Sequence, residues 1–185
     1  MLLVLMFSAI AGSVVSTTHA GSHAPAHHVA ADTMYTMSDG YILGLRNMVD
    51  EEEIETARLA IGRASNPKVL AFARALLHGH SNAQNSASAL GRRLGITLMI
   101  PADSDSAIVT RHRAEVARLM KLHGASFDRV FLTYVRDDHL ATIAKVNSWY
   151  RPVASNDSVK AYLASIMPTL ESHEKTAAQL LRELK

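Results

Sequence analysis

The chain has 185 residues, 48% of them hydrophobic and 19% charged, with a formal net charge of +2 and no cysteine. That length builds one domain whose core needs no staples, and the lack of cysteine excludes disulfides, thiolate metal sites, a lipoprotein anchor and covalently attached c-type haem. Balanced charge without a Lys/Arg cluster excludes a nucleic-acid footprint, and abundant Ala and Leu with few Gly and Pro favour an all-α protein.

Residues 1–20, MLLVLMFSAIAGSVVSTTHA, read as a secretory signal. The apolar run from Leu2 to Val15 is about 14 residues, short of the roughly 20 that span a bilayer. Small residues before Ala20 suit cleavage there, which places the mature protein in the periplasm. Residues 21–35 read as a flexible leader containing three histidines, and residues 36–185 as the folded domain.

A first helix is expected from Thr36 to Ala64. Asn66 then caps a second helix, with Pro67 at its first position and Gly95 as its stop. After a connecting segment, Asp105 or Ser106 opens a short amphipathic helix ending near His123, with Ile108, Val116, Leu119 and Leu122 available for packing. Ser126 caps a third long helix reaching Tyr150. Asn156 or Asp157 caps a fourth, which Pro168 should kink or split. Four long helices, with a short extra helix in the long connection between the second and third, make a ferritin-like four-helix bundle.

The heptad-like seams locate four polar residues in core slots. Helix two reads Val69, Ala73, Leu76, His80, Ala83, Ala87, Leu90, Leu94, which leaves His78 facing solvent. Helix four reads Val159, Leu163, Ile166, Leu170, His173, Ala177, Leu180, Leu184. Helix three embeds His139 among Phe131, Val135, Thr142 and Val146, and helix one carries Glu53 on the face of Ile42, Val49, Thr56 and Ala60, with Glu52 as a near alternative. Counting from the turns puts Glu53 level with His80, and His173 about 7 Å off the level of His139. Two readings compete. Glu53, His80, His139 and His173 form a site for a single metal ion, of ligand types suited to Zn, Fe, Mn or Cu. Alternatively they form a buried polar layer that fixes helix register. The Glu-x-x-His pairs of di-iron bundles are absent: Leu77, Arg136 and Leu170 stand three residues before the histidines.

No catalytic residue is predicted. The sequence has no GxSxG elbow and no phosphate-cradling glycine loop, and Asp137–Asp138 read as a solvated face. The stretch TMYTMSDGYILGL, residues 33–45, is apolar and Met-rich, so Met34, Tyr35, Met37 and Tyr41, with Trp149 and Tyr150 at the end of helix three, are candidate partner-docking residues.

The ordered set of Glu53, SNP at 65–67, His80, Phe127-Asp128, His139, PTL at 168–170 and His173 resembles the bacterial domain-of-unknown-function family 4142 over about residues 40–182. The resemblance implies an exported ferritin-like bundle. Family members often carry Asp-His where this chain has Gly79-His80. Relatives of this kind also resemble the small third subunit of membrane-bound quinohaemoprotein alcohol dehydrogenases. That likeness implies a non-catalytic assembly subunit that holds no cofactor itself. Its partners are a large subunit bearing pyrroloquinoline quinone and haem c and a cytochrome c subunit, and they alone tie it to the outer face of the inner membrane.

Overall fold

The computed structural model describes residues 26–99, 107 and 109–184, with side chains from Asp39 onward. The expected signal, the first part of the leader, the capping residues Asp105 and Ser106, and Ile108 lie outside the described residues, as do the side chains of Met34, Tyr35 and Met37. The protein is all-α. Helix α1 spans Ala26–Arg63, α2 Pro67–Leu94, the short α3 Thr110–Leu119, α4 Gly124–Lys145 and α5 Asp157–Glu183. Helix α1 begins ten residues before the expected start, because Ala26 to Tyr35 contain no glycine or proline to break a helix.

The turns form as their residues require. Asn66 caps α2 by accepting from the Lys68 amide, and Gly95 ends it at φ 66°, the left-handed conformation that glycine tolerates. Asn156 caps α5 by accepting from the Ser158 amide, and α5 runs unbroken through Pro168. Helix α4 starts at Gly124 rather than after Ser126. It continues past Lys145 as a π-helical turn, Val146–Tyr150, and a last turn, Arg151–Val153.

Helix α1 packs on α2 and α4 on α5, giving two helical hairpins that face each other. The hairpins share a hidden repeat. Ala64-Ser65-Asn66 and Ala154-Ser155-Asn156 make equivalent turns, and each is clasped by an aspartate of the other hairpin. Asp128 of α4 accepts from the Ser65 amide (3.1 Å), the Ser65 hydroxyl (2.6 Å) and the Asn66 amide (2.8 Å). Asp39 of α1 accepts from the Ser155 amide (3.0 Å), the Ser155 hydroxyl (2.8 Å) and the Asn156 amide (3.0 Å). Helix α3 seals the connection. Its Leu119 is buried, buried His112 lies 3.2 Å from Glu55, and Arg63 donates to the Met120 carbonyl beyond its end.

The core has two apolar halves. One gathers Leu43, Leu90, Tyr150 and Leu163, the other Leu76, Phe127, Phe131 and Leu180. Between them, mid-bundle, lie the buried Arg46, Asp50, Glu53, His80, His139 and His173.

Candidate metal centre

Three helices each deliver one histidine to this layer. His80 of α2, His139 of α4 and His173 of α5 are all buried, and one ring nitrogen from each lies within 4.8 Å of the others. The 7 Å offset expected between His139 and His173 is not there: His139 Nε2 and His173 Nδ1 are 3.2 Å apart. The helix carrying His139 extends to Val153 instead of stopping at Tyr150, so both histidines stand equally far from the turn at Ala154.

Hydrogen bonds preset the rings. His139 Nδ1–H donates to the Val135 carbonyl at 2.8 Å, leaving the Nε2 lone pair free. His173 Nδ1–H then donates to that lone pair, a bond that a metal ion would replace. His80 Nδ1–H donates to Asp50 Oδ1 at 3.0 Å, while its buried Nε2 has no partner. A carboxylate that orients an imidazole in this way is the usual outer support of a metal-bound histidine. Arg46 Nη2 donates to the same oxygen at 3.0 Å.

The imidazoles are held neutral, as metal ligation requires. Burial, then the neighbouring His80 and His173, push His139 well below the ordinary histidine value. Burial, then His80, lower His173 to about 4.

Glu53 is buried mid-bundle but does not join the three-histidine cluster. Neither of its carboxyl oxygens has a hydrogen-bond partner. Burial, then Asp138 and Asp50, raise it well above the usual carboxylate range against the pull of Arg46, so it is held protonated. A protonated carboxyl is a poor metal ligand, which separates Glu53 from the set expected in the sequence. Asp138 is also buried rather than on a solvated face, and accepts from Arg111 at 2.8 Å, whereas Asp137 is exposed as expected. His78 faces solvent.

Sequence reasoning missed Asp50, Arg46 and the role of Gly79. A Cβ at Gly79 would stand 2.9 Å from His173 Cε1, so the ring of His173 lies where any side chain at 79 would be. The Asp-His pair common in the family cannot fit on this geometry, and Asp50 supplies the carboxylate from α1 instead.

The docking candidates with described side chains turn largely inward. Tyr150 is a core residue, and Tyr41 is half-buried, edge-on to Trp149 with ring centroids 5.7 Å apart. Trp149 alone of these candidates is exposed, at 37%.

Among the described residues, no helix is long and apolar enough to cross a membrane. A DUF305 fragment from Deinococcus radiodurans superposes with a TM-score of 0.69 at 16% identity, covering 79% of this chain and 96% of that one. A DUF305 protein from Streptomyces coelicolor, assigned as secreted, gives 0.64 at 13% identity, covering 81% and 93%. At such identities the likeness establishes the fold alone. No curated protein matches the chain. The expected alcohol dehydrogenase subunit role therefore rests on sequence resemblance alone. The family described as Domain of unknown function (DUF4142) matches residues 24–180, and the chain belongs to that family.

Proposed function

We propose that the protein is an exported bundle that binds one late first-row transition-metal ion through His80, His139 and His173. One observation carries this reading: three buried imidazoles from three helices offer ring nitrogens within 4.8 Å of one another. Three neutral nitrogen donors, with no carboxylate among them, suit zinc, copper, cobalt or nickel rather than magnesium or calcium. Three protein ligands leave a coordination position open. Export is supported by the signal-like first 20 residues and by the secreted Streptomyces neighbour.

Metal-stripped protein incubated with Zn2+ or Cu2+ and desalted should retain one equivalent by elemental analysis, and His139→Ala should retain none. Wild-type protein that retains no metal would leave the layer a register device. The same elemental measurement on protein drawn from native soluble and membrane fractions tests the subunit reading. An assembly subunit would co-elute with a haem-bearing dehydrogenase, with the exposed Trp149 and Val153 as its contact surface. Protein found alone in the soluble fraction would remove that role.

A further inference from the structure

The histidine cluster adjoins a cavity of about 180 Å3 between α2 and α5. Its lining includes Arg46, His80, Asn82, Ser86, Tyr162 and Thr169. Two of these residues are almost wholly buried and carry an atom with no hydrogen-bond partner: the Nε of Arg46 and the Nε2 of His80. The two side chains are tied together, because Asp50 Oδ1 accepts from Arg46 and from His80 at 3.0 Å each. At roughly 30 Å3 per water, the cavity takes a molecule of a few heavy atoms.

The charges select the kind of molecule. Three neutral imidazoles leave both charges of a divalent ion uncancelled. The Asp50 carboxylate is shared between Arg46 and His80, Asp138 is engaged by Arg111, and Glu53 is held protonated. A metal ion beside a buried guanidinium therefore carries an excess of positive charge in a low-dielectric setting, which is costly unless an anion compensates it. The remaining polar lining, Asn82, Ser86, Tyr162 and Thr169, brings amide and hydroxyl donors.

We infer that this cavity is a binding site for a small oxyanion or monocarboxylate, one end of which takes the open position on the metal while the other meets the guanidinium of Arg46. This inference rests on the metal reading above. Full-length protein loaded with Co2+ is titrated with formate and with azide while the visible d–d bands are followed. Saturable band shifts are expected in wild type. Arg46→Gln should keep its cobalt and lose at least about tenfold in anion affinity, because a charged donor is removed. Ala83→Leu, which fills the cavity without touching Arg46 or a histidine, should weaken binding as well and keeps the test decisive if Arg46→Gln fails to fold. Cobalt that loads but whose bands ignore both anions, or anion affinities equal in wild type and Ala83→Leu, would overturn the anion site and leave the metal site standing. Failure of wild type to take up cobalt would overturn both.

Discussion

At the scale of single residues, the polar layer is decided by which group each side chain can reach. Asp50 is fully buried, and one of its oxygens serves both Arg46 and His80 while the other has no partner. Asp50→Asn keeps the shape but removes the charge and weakens the bond that fixes the His80 tautomer. Loss of such outer support costs about 10- to 100-fold in metal affinity. Competition against a chromophoric zinc chelator should read that loss, with one equivalent still bound at saturation. Unchanged affinity would mean that His80 needs no orienting partner. The sequence placed His80, His139 and His173 correctly in core slots because a seam of alternating three- and four-residue steps admits few alternatives. It could not choose among Asp50, Glu51, Glu52 and Glu53, because consecutive residues on a helix sample every direction and neighbours on other helices decide which acid meets an imidazole.

At the scale of elements, the caps and stops were legible and the pairing between hairpins was not. Asn66, Pro67, Gly95 and Asn156 act as their residue types demand, since a cap is a local contract between a side chain and the next amides. The aspartate clasps join residues 63 and 116 positions apart, beyond the reach of any local pattern. The repeated Ala-Ser-Asn was their one visible trace in the sequence. Counting from each clasping aspartate puts Asp50 and His139 at matching positions, each 11 residues on (50 − 39 and 139 − 128). The two hairpins thus insert a carboxylate and an imidazole into the same layer. Each clasp holds three hydrogen bonds to one carboxylate, so Asp39→Ala and Asp128→Ala should each destabilise the protein by about 2–3 kcal/mol in urea unfolding. The two aspartates act at opposite ends of the bundle, so the double variant should lose the sum within about 0.5 kcal/mol. A strongly sub-additive loss would show that the turns do not act independently.

At the scale of the whole molecule, the metal-free protein is shaped by opposing titrations in one buried layer. His139 and His173 have folded values depressed below their unfolded value, so their neutral forms hold full stability above about pH 6.5. That stability is lost as pH falls toward the value of about 4 for His173. Glu53 works the other way. Its folded value is raised by burial and by Asp138, so its protonated form favours folding at low pH. That contribution is lost as pH rises from about 4.5 through the folded value, by up to about 1.4 kcal/mol per pH unit. Between about pH 4.5 and 6.5 the two trends oppose each other. Above 6.5 the histidines no longer change, and the Glu53 trend stands alone. Glu53→Gln imitates the protonated carboxyl at every pH. Its stability relative to wild type should therefore grow steadily between pH 5 and pH 8, as read by urea unfolding of the metal-free proteins at pH 5, 6.5 and 8. A gap that stays constant across that range would mean that Glu53 does not carry the buried proton, and the charge balance of the layer would have to be reassigned to Asp50 and Asp138.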